Sequence, residues 1–389
     1  MDIEPSLGIA GKRVIIVLDS LELGGSERQA LILARHLRDR GGASVQIWGF
    51  NSPGGRTEIL CRDNNLISRH YPLHPGSTFR SLPRWTFHLW NFARALRRER
   101  PDVILPFCTA PNLSCNLIWK LTGAKFCLWN QRDEGRPISP PQEFIASRFS
   151  CAYVTNSPEG AAFLRDGLGI QEDRIDLIPN GIELPDSQRH VFSWRKLLNI
   201  PTDRFVACMV ANLTSVKDHA TLIKSWPLVN AEFHHSSKPP LLLLAGRWDN
   251  AADSLKRLAN SLGLYDSVKF LGAVDDIYGL LHAADLGIFS SYREGCPNGL
   301  LECMAAGLAV VATDIPGIRF ALGSQESVCF VPPRNPDALA HNIIDLIKDE
   351  RRRKAIGAAN RGRIAQHFSP EIMVEKMVSI FSPHPCHQK

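Results

Sequence analysis

The chain has 389 residues, 44% hydrophobic and 22% charged, so it is too long for one ordinary core and has the composition of globular domains. No run of about 18 apolar residues occurs, which excludes an ordinary transmembrane helix. The net charge is +6, and residues 1–185 carry 22 Lys/Arg and 19 Asp/Glu, half of the excess. This even spread does not indicate nucleic-acid binding, and we expect no such partner.

The ten cysteines are scattered along the chain and contain no Cys-x-x-Cys pair. That pattern argues against a zinc site and against a disulfide framework, and it fits a reducing compartment. The start, residues 1–5, is acidic and does not resemble a signal peptide. We therefore predict a cytoplasmic protein.

The first half of the chain alternates strands and helices. A glycine turn follows the first strand and leads into a helix over about residues 26–37, for which Ser26 is a plausible N-cap. Residues 51–80 show no clear periodicity. Strands are predicted at 13–18, 45–50, 102–105, 125–129, 152–155 and 175–178, and further helices at 82–100, 112–122 and 157–168.

The second half repeats the alternation after a connection over residues 183–202. Strands are predicted at 206–210, 241–246, 268–272, 286–289, 308–312 and 328–331, and helices at 219–229, 251–263, 277–284, 336–349, 351–367 and 370–381. This order predicts an α/β fold: two Rossmann-like, doubly wound parallel-sheet domains facing a cleft, with ligands at the carboxyl ends of the strands. The predicted domains are 1–185 and 186–369. Residues 370–389 are predicted to form a helix that packs back on the first domain, followed by a frayed tail.

Residues 291–314 read as a loop, a short helix and a buried strand. Pro297 suits the first turn of the helix, and Gly307 suits its end. Gly295 and Gly299 would let the backbone come close to a ligand. The free N–H groups at the start of the helix predict a phosphate site.

Two carboxylates frame this predicted phosphate site. Glu294 lies in the loop, and Glu302 lies eight positions later on the helix. A carboxylate aimed at the phosphate would repel it, so hydroxyl groups on either side of a diphosphate are the better ligands for both. The alternative is that the two carboxylates only cap or solvate the helix.

Residues 294–307 resemble the E-x7-E region of the retaining glycosyltransferases of family 4, which have the GT-B fold. Four other stretches resemble that family and occur in the expected order, and the resemblance covers about residues 12–381. They are an N-terminal glycine loop at 24–28, the end of the first domain at 156–157 and 178–182, the first loop of the second domain at 210–219, and a turn at 272–276.

The donor in that family is a nucleotide diphosphate sugar, and no metal is needed. The resemblance implies that Glu294 contacts the transferred sugar, that Glu302 contacts the ribose, and that Lys217 adds positive charge to the diphosphate. A surface role for Lys217 is the alternative. We accordingly expect no cofactor and no metal, and we find no Asp-x-Asp motif. The implied donor-binding residues are Gly24, Gly25, Asn212, Gly295, Cys296, Pro297, Asn298, Gly299, Leu300 and Glu302.

The chain departs from the family pattern at three places. Asn212 stands where the family often has an arginine, so either the diphosphate has one charge fewer or another residue supplies it. Phe320 and Pro316 replace the acid and the first glycine of a Gly-Gly-x-x-Glu loop. Arg132 follows the strand after which many members carry a histidine. With Glu294 and Lys217 it makes up our three catalytic candidates, and it would contact the transferred sugar or an acidic acceptor. The alternative is a local ion network with Asp133 and Glu134.

Residues 84–98 are basic, aromatic and predicted helical. This pattern has two interpretations. The segment contacts an anionic membrane surface, at the inner face of the membrane, or it is an ordinary domain helix. The second interpretation is preferred, because Trp85, Leu89, Phe92 and Leu96 alone make one buried face.

The predicted function is a retaining, metal-independent glycosyltransferase of the hexosyltransferase type. It moves a sugar from a nucleotide diphosphate sugar to a carbohydrate or lipid-linked acceptor, in cell-surface polysaccharide or glycolipid biosynthesis. A sugar-nucleotide epimerase of GT-B-like fold is one alternative, although no matching acid/base set is visible in the sequence. A non-catalytic nucleotide-sugar-binding protein is another. The sequence does not identify the base, the sugar or the acceptor.

Overall fold

The structure is a computed structural model that describes residues 8–73, 82–132, 135, 141–185, 193–323 and 329–381. The acidic start, Asp133, Glu134 and the C-terminal tail, on which expectations rested above, lie outside these residues. The chain forms two compact units. Unit 1 is Met1–Gly181 with Pro370–Lys389, and unit 2 is Ile182–Ser369.

Unit 1 is built on seven parallel strands in the order β3-β2-β1-β4-β5-β6-β7. Their apolar side chains are buried on both sides of the sheet, as parallel strands between two helical layers require. The strands are β1 Arg13–Ser20, β2 Ser44–Asn51, β3 Ile67–His70, β4 Val103–Pro106, β5 Phe126–Gln131, β6 Ala152–Thr155 and β7 Ile175–Leu177.

Helices cover both faces of this sheet. Helices α1 Gly25–Asp39, α2 Arg56–Asp63 and α15 Pro370–Ser379 pack on one face. Helices α3 Leu82–Glu99, α4 Thr109–Thr122 and α5 Pro141–Ser147 pack on the other. Helix α6, Pro158–Ala162, continues into a π-helical turn at Phe163–Gly167.

Unit 1 differs from the sequence-based expectation at α2, β3 and α5, none of which was predicted, and at the start of α1. The segment without periodicity contains α2 and β3. These were missed because both are short and β3 buries none of its side chains fully, so no apolar alternation marks it. The N-cap of α1 is Gly24 rather than Ser26, and no side chain caps this helix.

Unit 2 has six parallel strands in the order β10-β9-β8-β11-β12-β13. Its strands are β8 Val206–Val210, β9 Leu241–Ala245, β10 Val268–Gly272, β11 Leu286–Phe289, β12 Ala309–Thr313 and β13 Cys329–Val331. Its helices are α7 Trp194–Leu197, α8 His219–Glu232, α9 Ala252–Ser261, α10 Ile277–His282, α11 Asn298–Ala305, α12 Pro316–Leu322, α13 Pro336–Lys348 and α14 Glu350–His367.

The unit 2 sheet also separates two apolar layers. Apolar strands alternating with helices, all in parallel register, confirm the predicted class of two doubly wound α/β domains. Within the part of the chain that the structure describes, no helix is both long enough and apolar enough to cross a membrane.

Candidate functional site

The order of strands in unit 2 points to one position on the sheet edge. Strands β8 and β11 are neighbours at the centre, and the chain runs outward from them in opposite directions. In doubly wound sheets this reversal opens a crevice at the carboxyl ends of the two central strands. The loops that follow β8 and β11 carry Lys217 and Glu294.

Lys217 and Glu294 form an ion pair at this edge. The Lys217 ammonium donates to both carboxylate oxygens of Glu294, at 2.7 and 2.6 Å. The Ser291 hydroxyl donates to Glu294 Oε1 at 2.6 Å. The Glu294 side chain is only 7% exposed and that of Lys217 27%. The structure therefore brings together two of the three predicted catalytic residues, and it aligns the carboxylate from two directions.

The backbone around this pair is fixed by further hydrogen bonds. The Ser290 hydroxyl donates to the carbonyl of Asp218 at 2.9 Å, and the Tyr292 N–H donates to the carbonyl of Val216 at 3.2 Å. The Thr313 hydroxyl donates to the carbonyl of Ser291. Three neighbouring strands, β8, β11 and β12, thus share one rigid edge.

Helix α11 begins directly after the loop. Pro297 is its N-cap and Asn298 its first residue, so Pro297 lies one position before the predicted first turn. The helix ends before Gly307, which has the positive φ of +76° expected of a C-terminal glycine. Cys296 and Leu300 are buried.

Gly299 has a structural reason to be glycine. A Cβ on Gly299 would lie 2.1 Å from the carbonyl oxygen of Val210. Its small size therefore lets α11 cross the end of β8, and its approach to a ligand stays a prediction. Gly317 plays a similar part on the other side, since a Cβ there would lie 2.1 and 2.3 Å from the carbonyl oxygens of Glu294 and Gly295.

Phe320, where the family pattern has an acid, packs against the apolar core of unit 2. Its ring meets that of Phe368 edge to face, with centroids 5.9 Å apart. Glu302 lies on α11 and is 8% exposed. The described contacts do not link its carboxylate directly to the Lys217–Glu294 pair.

Sequence reasoning missed Arg247, whose backbone is hydrogen-bonded to the loop of Asn212. The Asn212 side-chain oxygen accepts from the N–H of Arg247 at 3.2 Å, and the Leu213 N–H donates to the carbonyl of Arg247 at 3.0 Å. A Cβ on Gly246 would lie 2.0 Å from the carbonyl oxygen of Ala211. Glycine at this position therefore lets the two loops lie against each other. The sequence signal for Arg247 was its position directly after an apolar strand and a glycine.

The predicted residues of unit 1 lie at the carboxyl edge of its own sheet. Gly24 and Gly25 lie where β1 passes into α1. Arg132 directly follows β5, and its Nη2 donates to Asn180 Oδ1 at 2.7 Å. The Arg132 guanidinium lies 5.2 Å from the centroid of the Phe107 ring. The predicted residues of unit 1 thus lie at the carboxyl edge of that unit's own sheet.

His219 was not singled out from the sequence, although it follows Lys217 by two positions. It is the first residue of α8 and is 1% exposed. Burial, and then the positive charge of Lys217, lowers the pKa of its imidazole from 6.5 to about 4. The imidazole is therefore neutral at physiological pH and adds no second charge beside Lys217.

This depressed pKa predicts how stability depends on pH. The unfolded imidazole binds a proton near pH 6.5 and the folded one only near pH 4, so the stability is complete above pH 6.5 and is lost as the pH falls. At about 1.4 kcal/mol per pKa unit, the loss amounts to about 3 kcal/mol by pH 4. We expect His219→Gln to remove this component from urea unfolding curves recorded across that range.

The exposed His341 provides the control, because its side chain is 77% exposed. His341→Gln should leave the pH dependence of the unfolding free energy as in the wild type. Parallel pH profiles for the wild type and His219→Gln would contradict the assignment.

Among the residues that the structure describes, no group of three or more His, Cys, Asp or Glu side chains is placed to hold a metal ion. Asp276, one of the two adjacent aspartates after β10, instead caps α10 by accepting from the Gly279 N–H at 2.9 Å.

Two family models match the chain. The model of Glycosyltransferase Family 4 matches residues 23–185, and the model of Glycosyl transferases group 1 matches residues 191–363. The first match lies within unit 1 except for its last few residues, and the second lies within unit 2.

Individual relatives agree with these models. The putative glycosyltransferase EpsD of Bacillus subtilis is 30% identical over 280 residues, which cover 69% of this chain and 70% of EpsD. The N,N'-diacetylbacillosaminyl-diphospho-undecaprenol alpha-1,3-N-acetylgalactosaminyltransferase of Campylobacter jejuni is 26% identical over 250 residues, 61% of each protein. The match spans only 61–62% of the first curated relatives' lengths.

A solved structure shows the same fold across nearly the whole chain. Anabaena HepE, in complex with UDP and glucose, has a TM-score of 0.80 at 18% identity, with 95% of this chain and 99% of HepE covered. Architecture and models together define a GT-B glycosyltransferase fold. The chain belongs to glycosyltransferase family 4, as its motifs predicted.

Proposed function

We propose that the protein is a retaining glycosyltransferase that moves a sugar from a nucleotide diphosphate sugar to a carbohydrate or lipid-linked acceptor. The observation that carries the proposal is the part-buried Lys217–Glu294 pair at the switch point of unit 2, beside the start of α11. A cation, helix N–H groups and an aligned carboxylate suit a sugar diphosphate. Family membership supports the reaction class.

Each proposed residue has a role in the breaking of the bond between sugar and diphosphate. The leaving diphosphate gains negative charge in the transition state, which the Lys217 ammonium and the N–H groups of residues 296–300 stabilise. Glu294 accepts from hydroxyl groups of the transferred sugar, and Glu302 from those of the ribose. The donor phosphate takes the proton of the acceptor hydroxyl, so no strong protein base and no metal is required.

Arg247 is proposed to supply the charge that Asn212 lacks. Its backbone is hydrogen-bonded to Asn212 and Leu213, in the loop that also carries Lys217, and its Nη2 lies 3.9 Å from Asp249 Oδ2. An arginine on the neighbouring loop would complement the diphosphate as the family's usual arginine does.

The proposed setting is the biosynthesis of a cell-surface polysaccharide or glycolipid. The name of the Campylobacter jejuni relative indicates an acceptor linked to diphospho-undecaprenol, a lipid carrier. A screen of UDP-, GDP- and ADP-sugars by thermal shift, run in EDTA, should identify the donor by a rise in Tm. Transfer of labelled sugar from that donor into a membrane lipid extract should follow. A protein that no nucleotide sugar stabilises would contradict the proposal.

We further propose that α3 contacts the membrane on which a lipid-linked acceptor lies. Of the face that the domain-helix interpretation predicted, Leu89, Phe92 and Leu96 are buried, and Trp85 is partly buried against the same core. The other face of the helix nevertheless exposes Phe87 by 60% and Trp90 by 53%. The remaining exposed positions of that face include the basic residues Arg94, Arg97 and Arg98. Aromatic rings beside guanidinium groups suit an anionic lipid interface.

Vesicle sedimentation tests this contact. We expect the wild type to bind vesicles containing phosphatidylglycerol more strongly than vesicles of phosphatidylcholine alone, and salt to weaken the binding. Arg94→Gln should weaken it about fivefold, because each basic residue near the surface contributes about 1 kcal/mol, and Trp90→Ala should also weaken it. Tyr265→Ala, at a 67% exposed position of unit 2, is the control. Equal binding by the wild type and both α3 variants would contradict the contact.

A further inference from the structure

The carboxyl edge of the unit 1 sheet gathers amide side chains from three successive strands. Asn130 is on β5, Asn156 directly follows β6, and Asn180 lies shortly after β7. Their exposures are 0%, 3% and 3%. Leu128 packs into the core on the α1 side, and Asn130, two residues further along the same strand, points to that side too.

Arg132 joins this cluster through Asn180. Asn180 Oδ1 accepts from Arg132 Nη2 at 2.7 Å and from Asn156 Nδ2 at 3.0 Å. Phe107, whose ring lies under the guanidinium, belongs to the same α1-side core. The guanidinium is therefore positioned by an amide on one side and an aromatic ring on another.

The hydrogen bonds also fix which atoms remain for a ligand. Asn156 uses its amino group on Asn180, and the flipped amide would bring two carbonyl oxygens together, so Asn156 Oδ1 is left as an acceptor. Within the described residues, Asn156 Oδ1 and both side-chain polar atoms of Asn130 lack a hydrogen-bond partner. Buried amides in this state are uncommon and indicate that something else satisfies them.

We propose that this cluster binds the acceptor through a hydroxylated anion, a carboxylate or phosphate group next to sugar hydroxyls. The guanidinium of Arg132 takes the anion, Asn156 Oδ1 accepts from a hydroxyl, and Asn130 donates to one oxygen and accepts from another. That the anion belongs to the acceptor rests on the proposed function, in which the Lys217–Glu294 edge of unit 2 holds the donor.

Binding of simple probes to the full chain tests the proposal. The probes are glucuronate, glucose 1-phosphate and the neutral methyl glucoside, titrated by ligand-observed NMR with UDP at saturation so that the phosphate site of unit 2 is occupied. We expect at least one anionic probe to bind about tenfold more tightly than the glucoside, as one added charge-assisted hydrogen bond would give. A preference for glucuronate identifies a carboxylate, and one for glucose 1-phosphate identifies a phosphate.

Variants assign the preference to the cluster. Arg132→Gln should lower the affinity for the anionic probe to that for the glucoside. Arg132→Lys keeps the charge and should retain part of the difference between the two affinities. Arg165→Gln removes the same charge from an exposed site of unit 1, where the arginine pairs with Asp166, and should change nothing. Equal affinities of all probes for the wild type would overturn the proposal, and so would a preference that survives in Arg132→Gln. If the wild type did not bind UDP, that result would count against a UDP-sugar at the proposed donor site. The anion preference of unit 1 could still be measured.

Discussion

Lys217→Ala is expected to lower kcat about 100- to 1000-fold, the cost of removing one preorganised group that stabilises developing charge. The Lys217 ammonium donates to Glu294 and lies at the strand edge where the diphosphate is proposed to bind. Its loss removes charge stabilisation in the transition state and leaves the Glu294 carboxylate buried beside Ser291. KM for the donor should change less than kcat, because the charge to be stabilised is largest in the transition state.

Two further variants separate chemistry from folding. Lys224→Ala removes an exposed lysine from α8 and should keep full activity. The double variant Lys217→Met with Glu294→Gln leaves no unpaired buried charge, so it should recover Tm but not kcat. A Lys217→Ala enzyme with normal kcat, or one impaired only in its affinity for the acceptor, would contradict the role of Lys217.

Glu302→Ala is expected to weaken the binding of the donor and of the free nucleoside diphosphate. Hydrogen bonds between a carboxylate and hydroxyl groups are worth about 1.5–3 kcal/mol each, which corresponds to about 10- to 150-fold in Kd. The 8% exposure of Glu302 keeps competing water away from the carboxylate and favours the upper part of this range. Isothermal titration with the donor nucleotide measures the effect.

The control for Glu302 is Glu350→Ala, which removes an exposed carboxylate of unit 2 that pairs with Lys354. It should leave the nucleotide affinity unchanged. A Glu302→Ala protein that binds the nucleotide as the wild type does would show that Glu302 only supports α11.

The architecture was predictable because the buried parallel strands are continuous apolar runs. Residues 241–245 are five such positions, and each is buried in the structure. Strand β3 was not predictable in this way, because it lies at the sheet edge and none of its four side chains is fully buried. Its place depends on pairing with β2, which is a tertiary effect.

The composition of the candidate site followed from the motif, but its internal contacts did not. The sequence suggested Glu294 and Lys217 as separate ligands of one donor, whereas the structure joins them in an ion pair. They are 77 positions apart, and only the adjacency of β8 and β11 brings them together. The close packing of Gly299 on the carbonyl of Val210 was not predictable either, because the two residues are 89 positions apart.

The central claim is that unit 2 binds a nucleotide sugar whose sugar is then transferred. Release of nucleoside diphosphate from UDP-, GDP- and ADP-sugars, with and without a membrane lipid extract as acceptor, tests it most directly, with wild type and Lys217→Ala side by side. We expect acceptor-dependent release from at least one donor by the wild type, its near loss in the variant, and a product that keeps the anomeric configuration of the donor. Tight binding of a nucleotide sugar without release under any condition would contradict it, as would free nucleotide with an epimerised sugar in the absence of acceptor.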